Sequence, residues 1–201
     1  MKNDNELLFS DESHTYSWRG IVIPSVTQVL VSAGFIPISC MDEEAAERGS
    51  VVHRICQLDD EGSLERYHVH KDATPFLEAY RRFKKDVGLE CLEIEQPKFS
   101  RRHRYAGTPD RDGHTPPSKG KRKKTNVIID IKTSAAIQGW HRYQLAAYAK
   151  LGFPAGIRRI IVRLNPSKGL PGYFINEFPV SELRTDFNVF LSALSTYNAK
   201  K

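Results

Sequence analysis

Asp110, Asp130 and Lys132 are the residues whose types and spacing could do chemistry. Asp130 and Lys132 stand two apart in Ile128-Ile129-Asp130-Ile131-Lys132, so on a strand their side chains share one face while Ile131 points to the other. Asp110 closes the run Gly107-Thr108-Pro109-Asp110. Hydrolysis of a phosphodiester needs a hard divalent cation on oxygen ligands, which polarises the phosphate and acidifies a bound water. It also needs a nearby positive group to stabilise the negative charge that develops. Carboxylates on adjacent strands with a lysine beside them supply these parts, and the Ile131 carbonyl oxygen offers a further ligand. The plainer alternative for Lys132 is a strand-end salt bridge with Asp130.

A helix over Trp140–Leu151 follows. Gln144 and Tyr148 are spaced i, i+4 and stack on one face of it, with Trp140 and Leu151 extending the same side. That face either lies over the site, contacting DNA or orienting Lys132, or is the apolar side of an amphipathic helix whose tyrosine is half-buried.

In order along the chain, GTPD (107–110), DIKTS (130–134) and Gln144-Leu-Ala-Ala-Tyr148 resemble the RecB-type branch of the PD-(D/E)XK nucleases. Arg48-Gly-Ser-Val-Val-His53 is similar to the helical histidine context upstream in that branch. His14-x-Tyr16 with Pro24-Ser25-Val26-Thr27 is similar to the start of many phage-encoded members. The resemblance spans residues 14–150 and implies a restriction-endonuclease-like core. It implies Asp110 and Asp130 as the main metal ligands, His53 approaching the metal, and Lys132 positioning the nucleophilic water or stabilising the phosphate. Glu95 matches an acidic position that assists metal or water in some members. On its own His53 reads as a packed helix histidine, and Glu95 equally as a surface strand residue. His68-x-His70 has no evident partners and reads as strand or loop surface.

The implied activity is that of a Mg²⁺-dependent deoxyribonuclease, with Mn²⁺ as a substitute, and exonuclease before endonuclease. Its setting would be DNA recombination, repair or phage genome processing. The alternatives are a structure-specific endonuclease or resolvase, and a non-catalytic DNA-binding module on a nuclease fold. Any recombination or replication protein partner is unidentified.

The net charge of +6 favours a polyanionic partner, here single- or double-stranded DNA. Two basic stretches concentrate it: Arg101, Arg102 and Arg104, and Lys119, Lys121, Arg122, Lys123 and Lys124. The second is expected to join the strand ending near Asp110 to the strand carrying Asp130, as a basic flap over the metal; otherwise such runs are solvated loops. Tyr105 and Trp140 are candidates for stacking on unpaired bases.

The three cysteines, Cys40, Cys56 and Cys91, contain no C-x-x-C pair, which argues against a disulfide framework, a zinc knuckle or a four-cysteine iron–sulfur cluster. No G-x-x-x-x-G-K-[ST] loop is present, so no nucleotide cofactor is expected. No apolar run approaches the roughly 20 residues of a membrane span. The polar, acidic opening does not read as a signal peptide. The expected compartment is the cytoplasm, that of the host if the chain is phage-encoded.

The elements that must position these residues make one α/β domain over 1–201, a central mixed sheet flanked by helices. An N-terminal hairpin and helices occupy 1–90, the sheet core 91–180 and a C-terminal helix 181–199. The hairpin pairs 14–18 with 21–23. A helix capped by Ser25 or Thr27 runs to Ala33. A second runs from Met41 to Leu58, with Gly49-Ser50 as a point where it can break, and a third from Pro75 to Val87. Cys91–Gln96 alternates as a half-buried strand, Phe99–Pro109 is a second strand, and Gly113–Thr125 is a protruding loop. The β-branched Asn126–Ile131 is a central strand. Arg159–Leu164 and Tyr173–Phe178 are strands, and Val180–Tyr197 is the last helix.

Overall fold

The computed structural model describes residues 7–10, 15–37, 43–117 and 123–200. Strands Leu7–Ser10 (β1), Thr15–Trp18 (β2) and Ile21–Ile23 (β3) form an antiparallel meander. Helix Val26–Ser32 (α1) starts at a capping box, in which the Ser25 hydroxyl accepts from the Gln28 amide and the Gln28 side chain accepts from the Ser25 amide. Glu43–Asp60 (α2) and Thr74–Val87 (α3) follow, the latter closed by Gly88 at φ 62°. Then come Glu90–Ile94 (β4), Lys98–Ser100 (β5), Tyr105–Gly107 (β6), Arg111–Thr115 (β7), Thr125–Lys132 (β8) and His141–Ala149 (α4). Arg158–Leu164 (β9), Tyr173–Phe178 (β10) and Leu183–Ala199 (α5) complete the chain.

The fold is α/β, with a five-stranded mixed sheet in the order β10-β9-β8-β7-β4. β8 is its middle strand. It runs parallel to β9, with α4 as the crossover, while the other pairs are antiparallel. Helices cover both faces, which is why the Val127–Ile129 run is buried throughout. Val127, Ile129 and Ile131 pack against α2 and α3 with Ile160 and Val162. Ile128 and Ile161 pack on the other side, with α1, α4 and α5. By strand alternation Asp130 and Lys132 belong to this second face. Among the described residues, no helix is long and apolar enough to cross a membrane.

Three sequence expectations change. α2 passes through Gly49-Ser50 unbroken, and a Cβ at Gly49 would meet only Thr133 Oγ1, at 3.6 Å. Residues 99–109 are not one strand: the chain turns at Arg101–Arg104, with Arg104 at φ 53°, and β5 pairs with β6 in a separate two-stranded sheet. Third, Arg111–Thr115, read partly as loop, is a strand between β4 and β8. β4 is also bulged between Cys91 and Glu93, which breaks its alternation and leaves Leu92 exposed. Its backbone passes so close to β7 that a Cβ at Gly113 would lie 2.2 Å from Glu90 O.

Candidate metal centre

His53 from α2, Glu95 just after β4 and Asp110 just before β7 meet at one end of the sheet, each offering a donor atom, all within 4.8 Å of one another. His53 Nδ1 lies 3.5 Å from Asp110 Oδ2 and 3.9 Å from Glu95 Oε1. Its other nitrogen, Nε2, is 2.8 Å from the Ile131 carbonyl oxygen. A carbonyl only accepts, so Nε2 carries the hydrogen and Nδ1 faces the carboxylates. Asp110 Oδ2 accepts from the Ile131 amide at 2.6 Å. Both polar groups of the Ile131 backbone thus tie the end of β8 to the site, and the Ile131 carbonyl, expected as a metal ligand, is engaged by His53.

Glu95 sits at φ 49°, a region that non-glycine residues seldom occupy. Its amide donates to Asp110 O at 3.1 Å. Its carboxylate accepts from Arg111 Nη1 at 3.1 Å. Backbone held in such a region tends to gather at functional sites.

On the other face of β8, Lys132 Nζ lies 2.7 Å from Asp130 Oδ2. Asp130 is not in the three-donor group; it is buried against Lys132. Burial raises the Asp130 pKa, Lys132 opposes the shift and Asp110 adds to it. Burial disfavours the Lys132 charge, but Asp130, Asp110 and Glu95 outweigh it and raise its pKa. His53 follows the same pattern: burial lowers its pKa, Asp110 and Glu95 more than reverse this, and Lys132 counts against the charge. The two faces of β8 are therefore one electrostatic unit.

Gln144 and Tyr148 are both buried on α4, with Gln144 Nε2 3.2 Å from the Tyr148 hydroxyl. Burial and then the charges of Asp130 and Asp110 push the Tyr148 pKa up, so its hydroxyl stays protonated beside the carboxylates. The Tyr148 ring packs on the backbone of the GTPD run. A Cβ at Gly107 would lie 2.5 Å from Tyr148 Cε1, so glycine is a packing requirement there. Tyr16 Oη and Thr108 Oγ1, 2.7 Å apart, join the N-terminal meander to the same run.

The expected nucleic-acid contacts fare differently. Tyr105 is fully buried, donates to Ala147 O at 2.8 Å and packs on Phe190, so it offers no face to a base. Trp140 is partly buried against the core and lies over His141, with ring centroids 3.8 Å apart. Arg101, Arg102 and Arg104 are exposed in the β5–β6 turn. Lys119, Lys121 and Arg122 lie outside the described residues. Lys123 and Lys124 are exposed, and Lys124 pairs with Glu90. The base of this loop is the Thr115–Thr125 pair, five residues along β7 and β8 from Asp110 and Asp130. At ~3.4 Å per residue that is about 17 Å away. The loop leaves the far end of the sheet and is not anchored beside the site; β7 separates them. His68 and His70 are exposed before α3, as expected.

Sequence reasoning missed Arg111 and Asp60. The fully buried Arg111 donates to Asp60 Oδ2 at 2.6 Å, to Glu95, and to Asp110 O at 2.5 Å. Asp60, at the end of α2, also accepts from the Tyr80 hydroxyl at 2.7 Å and pairs with Lys84. The one available signal was the position of Arg111 directly after Asp110.

No protein-family model matches the chain, and no curated protein does. Among solved structures, that of SSO0001 is 16% identical and aligns over 82% of this chain and 84% of its own, with a TM-score of 0.31. A likeness of that degree carries no argument about function.

Proposed function

We propose that this chain is a metal-dependent deoxyribonuclease of the PD-(D/E)XK type, acting on DNA ends. The observation that carries the proposal is the meeting of His53, Glu95 and Asp110 at the end of the strand that presents Asp130 and Lys132. The donor set fits a hard divalent cation: two carboxylates, and an imidazole whose Nδ1 faces them. Oxygen donors suit Mg²⁺ and Mn²⁺, and the softer imidazole tilts the set toward Mn²⁺. When bound, such an ion polarises the scissile phosphate and lowers the pKa of a water.

The remaining work falls to the protein's own groups. Arg111 holds the Glu95 carboxylate, and the Ile131 amide and carbonyl orient Asp110 and His53. Asp130 keeps Lys132 protonated and in place, and Lys132 faces negative charge as it develops on the phosphate. Gln144 holds the Tyr148 hydroxyl on the face of α4 nearest Asp130 and Asp110. The net charge of +6 and the exposed arginines of the β5–β6 turn support DNA as that substrate. The setting proposed is DNA recombination, repair or phage genome processing in the cytoplasm.

Linear and closed circular DNA, each incubated with Mg²⁺, Mn²⁺ or EDTA, test the reading. The linear form should be degraded in metal and the circle left intact. Cutting of the circle would replace the exonuclease reading with an endonuclease.

A further inference from the structure

Most half-buried and buried cations here face a carboxylate: Lys84, Lys98, Arg111, Arg142, Arg158 and Arg159 all do. One group does not. Arg102 and His103 of the β5–β6 turn, Lys150 at the end of α4 and Arg184 in the first turn of α5 line an open cavity of about 340 Å³ with Ser100 and Phe187. Among the described residues, no carboxylate oxygen lies within 4.0 Å of Arg102, Lys150 or Arg184. The acids nearest in sequence to Arg184, Glu182 and Asp186, are engaged by Arg142 and Arg159.

The cavity floor also suits a cationic rim. Phe187 takes the His103 ring edge-on at 5.6 Å, and Lys150 Nζ lies 5.9 Å from the Phe187 ring centre. Burial first, and then the Arg102 charge, lower the His103 pKa. Two guanidiniums and an ammonium around one opening form a receptor for a tetrahedral oxyanion, the guanidiniums in bidentate fashion and the ammonium as a point charge.

We propose that this cavity holds a backbone phosphate of the DNA strand, away from the metal centre. Its choice of ligand rests on the nuclease reading above. The placement is compatible with one continuous strand. Lys150 is six residues beyond Gln144, about 9 Å along the α4 axis, or about three nucleotides at ~3.4 Å each. The cavity would then set where the strand lies relative to the metal.

The test is binding of a fluorescent single-stranded oligonucleotide, followed by anisotropy in EDTA over a range of salt. The Arg102→Gln/Lys150→Gln/Arg184→Gln protein should bind at least about 10-fold more weakly, and its slope of log K against log salt should flatten by about 0.7, from the one lost phosphate contact. A control, Lys71→Gln/Lys85→Gln/Lys168→Gln, removes the same charge from exposed positions elsewhere and should keep the native slope. Lys150→Glu alone should weaken binding if the triple variant folds poorly. Equal losses in both triple variants, or an unchanged slope, overturn the proposal. So does calorimetry in which inorganic phosphate fills the native cavity while the oligonucleotide binds the cavity variant normally, because the ligand is then a free phosphate. Cleavage assays in Mn²⁺ separate the two readings. Cleavage by the native protein with an unchanged slope in the variant removes the cavity and leaves the nuclease. A flattened slope without cleavage supports the cavity and removes the nuclease.

Discussion

Lys132 keeps its charge in a place where burial disfavours it, because Asp130, Asp110 and Glu95 all favour the ammonium. This pair was legible in the sequence: two-residue spacing on a β-branched strand puts both side chains on one face. His53, Glu95 and Asp110 come from three separate elements, so no local spacing could assemble them; Asp110 stood out as a carboxylate at a strand end, while His53 and Glu95 were indicated only by family-like motifs. Arg111 was hidden for a different reason. A buried arginine looks like a surface residue in sequence, and only its partners, Asp60 and Glu95, make burial tolerable. Arg111→Met should therefore leave Asp60 and Glu95 each short of one partner, costing about 3 kcal/mol in urea unfolding. A loss under about 1 kcal/mol would mean that the network adds little. The same variant should bind Mn²⁺ at least about 10-fold more weakly in a titration followed by electron paramagnetic resonance, as expected when the support of a ligand is removed.

At the scale of elements, the sheet is where sequence reading did best and worst. β8 announced itself through Val127-Ile128-Ile129, α1 through the capping types Ser25 and Thr27, of which Ser25 is the cap, and α3 through its apolar stripe and Gly88. β7 did not, because Arg111-Asp112-Gly113-His114 carries none of the apolar alternation of a half-buried strand. Its buried positions are satisfied by ion pairs, Arg111 with Asp60 and Asp112 with Lys98. Missing β7 is what placed the basic loop beside the metal, when the β7–β8 register puts it at the other end. The contact of β6 with α4 gives a direct test. Gly107→Ala would drive a methyl into the Tyr148 ring, at an expected cost of about 1–3 kcal/mol. In a Tyr148→Ala background the same substitution should cost at least about 1 kcal/mol less, a coupling readable in a double-mutant cycle. Additive losses would show that the ring yields freely.

For the whole molecule, two cores on either side of one sheet leave the site at a strand end, where charges from both faces act together. That arrangement reaches His141, buried near Lys132, whose pKa is lowered by burial and by the Lys132 charge to about 4. The unfolded chain takes up this proton near pH 6.5 and the folded chain only near 4. Stability contributed by neutral His141 is thus complete above 6.5 and is lost as pH falls toward 4. Asp112, raised to about 6 by burial and by Glu93, works the other way, so the informative comparison is between proteins. From pH 7 to pH 5 the native protein should lose about 2 kcal/mol relative to His141→Gln. An unchanged difference, or an imidazole titrating near 6.5 by NMR, would contradict this. The proposed metal-dependent hydrolysis of DNA would be read by single-turnover cleavage of end-labelled DNA in Mg²⁺ or Mn²⁺, with native protein beside folded Lys132→Ala. The native protein should cleave, EDTA should abolish cleavage, and the variant should be slower by about 10²–10³-fold. Intact DNA after exposure to folded, Mn²⁺-loaded native protein, or equal rates in the two proteins, would contradict it.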